Sequence, residues 1–391
     1  MHKLEIKLKQ HTPLIHFQHD QKGATLRASE VKPRLDKFIL GKLTPEKRCQ
    51  GEREGWIKSK NGKTWLDYKM KIESNGRHEF DERIVGDRKK TIKYDNTKII
   101  LYYRKDNLNK QLLERLCPFF VVNNFGLRQS KGYGSFSVIY FTLDGNVCSI
   151  NNDYDGILKQ YYDFVYKKSN VNNARLTIDY DYKILKAGDN PPNGKSYRKS
   201  LLFCYAVTNL KESPRWEKRF LKQKISPLIK AKGYNLKTNK NSQGNWNEPI
   251  RDALGTQGWP DTPTPYNYEY VRGLLGLAEH FEFSLTKGAK AVVKIDGGEE
   301  LQRFQSPIQF KVFDNTVYLV GKEPCGILGK RVNLTYFIKE PNNGANKSKY
   351  TETVLTPNDP KAKTLAIPDN FSLVKFMRYA IPVLKNYQTI K

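Results

Sequence analysis

Leu4, Ile6 and Leu8 alternate with Lys3, Glu5, Lys7 and Lys9, the period of a strand with one buried face. Val31, Leu35, Phe38 and Ile39 follow at i, i+4, i+7 and i+8, which predicts a helix capped by Ser29 with Pro33 in its first turn or so. The polar, glycine-containing stretch 41–62 reads as an insertion or mobile loop. Trp65, residues 67–70 and Ile72 predict a second strand, and Ile99, Ile100 and Leu101 a third within 98–103. Leu108, Leu112, Leu113 and Leu116 share one side of a helix that begins near Asn107. Phe136, Val138 and Tyr140 then alternate as a fourth strand.

The resulting order, β-α-β-β-α-β, is that of ferredoxin-like and RNA-recognition-motif domains. A cluster of Asn, Asp and Gly over 146–155 marks a boundary, giving domains 1–148 and 149–391. In the second, Leu176, Ile178, Tyr180 and Tyr182 alternate as a strand, and a helical region runs from Ser200 to about Lys232, broken near Pro214 and Pro227. Residues 238–265, rich in Asn, Gly and Pro and holding Trp246 and Trp259, predict a long loop. A short helix is expected over 268–277. A hairpin is expected from Ile308, Phe310 and Val312 to Val317 and Leu319, turning at Asp314-Asn315. Val332 to Ile338 reads as a strand, and Leu373, Phe376, Met377, Ala380, Ile381 and Leu384 as an amphipathic helix. The fold expectation is α+β, with two ferredoxin-like (RRM-like, βαββαβ) domains carrying long loop insertions.

Charge narrows the function. The 68 Lys and Arg outnumber the 40 Asp and Glu, for a net charge of +28. A folded chain with that excess repels itself, and a polyanion relieves the repulsion while releasing counterions. With 12% aromatic residues to stack on bases, nucleic acid is the expected partner. The five cysteines stand too far apart for a C-x-x-C site, so no metal, cofactor or disulfide framework is expected, consistent with a reducing cytoplasm. The charged N-terminus is no secretory signal, and no apolar run reaches the roughly 18 residues of a spanning helix, so no membrane partner is expected.

The segment Asn124-Phe125-Gly126-Leu127-Arg128-Gln129-Ser130-Lys131-Gly132-Tyr133-Gly134-Ser135-Phe136 interleaves glycines with cations and aromatics. Glycine lets a backbone approach phosphate closely, while Arg128 and Lys131 supply charge and Tyr133 a face for stacking. It lies between helix and strand, the reverse of the strand-to-helix order that dinucleotide and ATP loops require.

Gly126 to Ser135 resembles the glycine-rich loop of the RAMP superfamily of CRISPR proteins. Leu26-Arg27-Ala28-Ser29-Glu30-Val31-Lys32-Pro33-Arg34-Leu35, after Thr12-Pro13-Leu14, is similar to that family's first-helix segment. Arg272-Gly273-Leu274-Leu275-Gly276-Leu277, followed by Arg303-Phe304-Gln305-Ser306-Pro307, resembles segments of the large two-domain tip subunit of type III-B (Cmr) complexes. The resemblance implies a non-catalytic subunit that contacts single-stranded guide RNA and target RNA among other RAMP subunits. It implies RNA contacts from Arg27, Ser29, Lys32, Arg34, Gly126, Arg128, Lys131, Gly132, Tyr133 and Gly134. A second reading is a metal-independent RAMP endoribonuclease with His16 or His19 as general acid or base. The position of the strong loop far from the C-terminus favours the first.

Overall fold

The computed structural model describes residues 1–15, 25–84, 87–148, 150, 152–189, 199–210, 215–237, 268–277, 280–301, 304–341 and 350–390. His16, His19, Trp246, Trp259, Arg303 and the expected 238–265 loop lie outside the described residues. The chain is a mixed α+β protein that divides into two compact units. One takes Met1–Ile178, Gln309–Gly321 and Asn386–Lys391; the other takes Asp179–Ile308 and Lys322–Lys385. These bounds differ from a division after residue 148, because strand Phe164–Lys168 pairs with Thr316–Gly321 and with Gln388–Thr389, drawing later chain into the first unit.

In the first unit, β1 (His2–Gln10), α1 (Ala28–Leu40), α2 (Pro45–Glu54) and the small strands β2 (Ile57–Lys60) and β3 (Lys63–Leu66) lead into a long hairpin. That hairpin is β4 (Lys69–Ile84) and β5 (Asp87–Tyr103), followed by α3 (Asn107–Val122), β6 (Phe136–Leu143) and β7 (Asn146–Cys148). The sheet order is β4-β5-β1-β6-β7, antiparallel throughout. Leu4 sits opposite Leu101 and Ile6 opposite Ile99, so one face of β1 is continuous with one face of β5. Val31, Leu35 and Ile39 of α1 and Leu108, Leu112 and Leu116 of α3 join Leu4, Ile6 and Leu8 in one core. Each such side chain, fully buried, contributes about 1.5–3 kcal/mol of transfer free energy.

Four readings of the pattern change here. The helix α1 starts two residues earlier than expected, with Arg27 at the N-cap and no side-chain cap, so Ser29 lies exposed in the first turn. The stretch 41–62 is not a loop: Thr44 accepts a hydrogen bond from Lys47 N–H, Pro45 occupies the first turn, and Gly55 ends α2 at φ 78°. A register shift beyond Lys7 of β1 inserts Ile139 as an extra residue, which turns Tyr140 outward (43% exposed) and Phe141 inward. Residues Ala174–Lys186 form a helix rather than a strand, opened by the Asn173 side chain accepting from Leu176 N–H at 3.0 Å. Its buried positions Ile178, Asp181 and Leu185 recur at three- and four-residue steps.

The second unit packs helices Leu201–Asn209, Glu217–Lys230 and Leu373–Leu384 with a sheet that includes His280–Ser284, Lys290–Asp296, Arg331–Pro341 and Tyr350–Leu355. Tyr268–Glu269 pairs parallel with Thr364–Ala366 and with Arg215–Trp216, and a 3₁₀ turn, Val271–Leu275, replaces the helix expected over 268–277. The described pairings of this unit do not establish a second βαββαβ order. The expected hairpin is present as Ile308–Phe313 and Thr316–Gly321, turning through Asp314 at φ 52°. Among the described residues, no helix is long and apolar enough to cross a membrane.

Candidate RNA interface

The glycine-rich segment follows α3 and enters β6. Its path depends on left-handed backbone at Gly126 (φ 76°), Gly132 (φ 77°) and Gly134 (φ 66°). Gly134 has the tightest fit: a Cβ there would stand 2.0 Å from the carbonyl oxygen of Phe125. That closeness serves a hydrogen bond from Phe125 N–H to Gly134 O at 2.9 Å. Arg128 also adopts φ 56°, uncommon for a residue with a side chain.

Asn124 anchors the turn. Its Nδ2 donates to the carbonyls of Gln129 (2.6 Å) and Phe310 (3.0 Å). Its Oδ1 accepts from Ser135 Oγ (3.1 Å) and Lys311 Nζ (3.2 Å). Thr12 Oγ1 donates to Gly132 O at 2.7 Å and accepts from Ser135 N–H at 2.9 Å, pinning the far side of the loop to the end of β1. Lys311 is fully buried, and its ammonium also donates to Val122 O at 2.7 Å. Burial first, and then the Arg34 charge, hold it well below the ordinary lysine range. Neither Asn124 nor Lys311 was singled out from sequence. Lys311 lies 187 residues from Asn124, in a strand that reads only as a hairpin.

The predicted residues fall into different roles. Arg34 clasps the loop, donating to Asn124 O and Asn123 Oδ1, both at 2.9 Å, with its guanidinium over the Phe125 ring. Glu30 pairs with Arg34 and accepts from Gly126 N–H at 2.9 Å. Lys32 turns the other way, donating to Asp36 at 2.8 Å and Leu66 O at 3.0 Å and lying over the Tyr68 ring. Asp36, its partner, is itself buried. Tyr133 is buried against Ile15, so its ring offers no open face to a base. Arg128 and Lys131 are half-buried at the outer turn. Arg27 and Ser29 sit at the start of α1, whose Glu30 holds the loop.

Beside the loop lies an open groove of about 420 Å³. Thr12, Pro13, Lys131, Gly132 and Tyr133 form one side, and Phe80 of β4 with Asn173, Arg175 and Leu176 lines the rest. Phe80 is 45% and Leu176 59% exposed, an unusual pair of open apolar side chains next to two cations. Phe80 sits in the polar outer half of the β4–β5 hairpin, where no apolar pattern marks it.

A histidine lies close by, though not one of those predicted. His11 Nδ1 accepts from Asp314 N–H at 2.9 Å, so the ring proton belongs on Nε2 and is donated to Ser137 Oγ at 2.8 Å. Ser137, His11 and Asp314 thus resemble a nucleophilic triad but carry the wrong tautomer for activating the serine. Burial pushes the His11 imidazole down to about 4.

Two family models match the chain in tandem: a Cmr1 N-terminal domain over residues 1–189 and a Cmr1 C-terminal domain over residues 197–390. They put the chain in the RAMP class of CRISPR proteins that its glycine loop resembles. The chain belongs to the Cmr1 family. A structure of the type III-B Cmr-beta complex bound to cognate target RNA contains a chain similar at 15% identity, with TM-score 0.24, over 36% of this chain and 60% of that one. Cmr1 from Pyrococcus furiosus in its apo crystal form aligns over 100% of this chain and 99% of that one, at 9% identity and TM-score 0.38. No curated protein matches the chain.

Proposed function

We propose that this chain is an RNA-binding, non-catalytic subunit of a type III-B (Cmr-type) CRISPR effector complex, contacting guide RNA, target RNA or both in antiviral defence in the cytoplasm. Membership of the Cmr1 family supports the assembly part of this reading. The observation that carries the RNA part is the glycine loop itself. Its backbone is held by internal hydrogen bonds, so Arg128 and Lys131 are presented from a fixed turn. A preorganised turn loses little entropy on meeting a phosphate. The adjacent groove, with Phe80 and Leu176 open beside Lys131 and Arg175, has the size and mixed character to seat one unstacked base. In this reading Arg34, Gly126, Gly132 and Gly134 position the loop, and Arg27, Ser29 and Lys32 flank it. We further read the first unit, with its sheet order β4-β5-β1-β6, as the ferredoxin-like domain of the RAMP class.

The test is RNA affinity as a function of salt. Replacing Arg128 and Lys131 together with Ala should weaken binding of single-stranded RNA and lower the slope of log K against log salt by about 1.4, at about 0.7 per phosphate contact. An unchanged affinity and slope would sink the loop as an RNA contact. Phe80→Ala should weaken binding with no change in slope, because stacking releases no counterions.

A further inference from the structure

The RNA-binding reading makes no use of the β2–β3 ribbon, which shares no residue with the glycine loop or its groove. Asn61 (φ 52°) and Gly62 (φ 72°) both take left-handed backbone, the two-residue turn whose twist suits a tight hairpin. The register sets Ile57 opposite Leu66, Lys58 opposite Trp65, Ser59 opposite Thr64 and Lys60 opposite Lys63. Partners across an antiparallel pair share a face, and faces alternate along a strand. Ile57, Leu66, Ser59 and Thr64 therefore occupy one face, with Ile57 and Leu66 in the core of the unit. Lys58, Lys60, Lys63 and Trp65 occupy the other. The three lysines are exposed and Trp65 is half-buried. Nearby carboxylates are engaged elsewhere. Glu52 accepts from Ser59 Oγ at 3.1 Å on the opposite face, Glu54 accepts from Gln50, Trp56 and Asn107, and Asp106 bonds His2 Nε2. A Cβ at Gly55 would stand 3.6 Å from Lys58 Nζ and 3.8 Å from Lys105 Cε, so Lys105 lies beside Lys58. Among the described residues, none of Lys58, Lys60, Lys63 and Lys105 forms an ion pair or a side-chain hydrogen bond.

Like charges directly opposite, as at Lys60 and Lys63, destabilise a ribbon, and a two-stranded ribbon is marginally stable on its own. Solubility asks for both signs of charge, not for one. We infer that the outward face of the β2–β3 ribbon is a second RNA-binding site, in which Lys58, Lys60 and Lys63 bind the phosphodiester backbone of single-stranded RNA and Trp65 stacks on an unpaired base. Lys58 and Lys60, two residues apart on one strand, stand about 6.7 Å from each other, an interval that consecutive phosphates of an extended strand match. Trp65 lies across the ribbon from Lys58, so a base on the indole and a phosphate on the lysine can belong to neighbouring nucleotides. An acidic protein surface would answer the lysines alone, whereas RNA answers the lysines and the indole together. The inference deepens the RNA-binding reading and rests on it for the ligand, while its geometry is independent of the glycine loop.

The experiment uses the full chain and a labelled oligouridine, with affinity measured across a salt series. Lys58→Ala, Lys60→Ala and Lys63→Ala together should weaken binding about tenfold or more near 0.1 M salt and lower the salt slope by about 2.1, at about 0.7 per phosphate contact. Lys58→Arg, Lys60→Arg and Lys63→Arg together should keep affinity and slope, since charge is retained. Trp65→Ala should weaken binding about tenfold with the slope unchanged, and Trp65→Phe should retain most of the affinity. The triple-Ala protein should melt no lower than wild type, because Lys60 and Lys63 no longer oppose each other, so its loss of binding is not a loss of fold. Wild-type affinity and slope in the triple-Ala protein would overturn the site, and full affinity in Trp65→Ala would overturn its stacking part. Intact RNA binding accompanied by loss of another subunit from the purified complex would also overturn it, assigning the face to an acidic protein surface. The Arg128→Ala, Lys131→Ala protein is measured beside the triple-Ala protein. A loss in the triple-Ala protein alone would support the ribbon while refuting the loop as an RNA contact; a loss in the loop variant alone would refute the ribbon and leave the loop standing.

Discussion

The glycine loop of the first unit and the Arg272–Ser306 region of the second are both turns rich in glycine and flanked by basic residues, and they treat buried polar groups in opposite ways. Around Asn124 each side-chain donor and acceptor meets a partner: Gln129, Phe310, Ser135 and Lys311. Around Arg272 the buried Glu217 carboxylate and the buried Ser306 hydroxyl find no side-chain hydrogen-bond partner among the described residues. A satisfied network fixes a shape and leaves charge at its edge. An unsatisfied one stores a cost that a bound ligand can remove. The first region is therefore expected to be sensitive to changes of shape and the second to changes of charge.

Shape gives the largest effect. Gly134→Ala drives a Cβ into the Phe125 carbonyl and puts a side chain at φ 66°, so the first unit should lose about 3 kcal/mol or more. Gly276→Ala meets neighbours no closer than 3.2 Å, although its φ of 103° is equally unsuited to a side chain. Its cost to the second unit should be smaller, about 2 kcal/mol. Hydrogen exchange read separately in the two units measures both, since two units need not unfold together. Equal losses would erase the contrast.

Acidity gives a second contrast, of opposite sign in the two units. In the first, His11 titrates near 4 when folded and near 6.5 when unfolded, because burial outweighs the nearby Asp314. The unfolded state then binds more protons, so this contribution is complete above about pH 6.5 and disappears as pH falls toward 4. It amounts to about 3 kcal/mol. In the second unit burial raises Glu217 to about 7, only partly offset by Arg272. Here the folded state binds more protons, so a penalty absent below pH 4.5 grows as pH rises through 7, again to about 3 kcal/mol. Lowering the pH from 7.5 to about 5 should weaken protection in the first unit and strengthen it in the second. Glu217→Gln should flatten the second profile. Movement of both units in one direction would contradict the assignment.

How much of this was legible in the sequence differs with the distance between partners. The strand β1 and the helices α1 and α3 follow from periodicity because their stripes are purely apolar. The helix Ala174–Lys186 was misread because exposed Leu176 and Tyr180 alternate by chance with Ile178 and Tyr182, while the true buried stripe includes Asp181. The helix α2 has its capping Thr44, Pro45 and Gly55 in plain view, but it buries only Gly51 and so carries no apolar stripe. At the candidate site, the turn-forming glycines were legible, since turn chemistry is local. Asn124's dependence on Phe310 was not, with 186 residues between them. Tyr133 misled because an aromatic in a basic loop reads equally as a stacking face or as a core residue, and only burial separates the two.

The smallest effect separates charge from shape within a single residue. Arg128 holds φ 56°, a conformation that costs a side-chain-bearing residue about 1 kcal/mol and glycine almost nothing. Arg128→Gly removes the charge and relieves the backbone at the same time. The variant should therefore be as stable as the wild-type protein or up to about 1 kcal/mol more stable by thermal unfolding, while its RNA salt slope falls by about 0.7. Part of the gain is offset because glycine also adds freedom to the unfolded chain. A loss of stability would mean that the Arg128 side chain braces the loop, and a slope equal to wild type would mean that Lys131 alone meets the phosphate. Tightened folding with weakened binding is the signature of a residue held in strain for its ligand, and neither Gly134 nor Gly276 can show it.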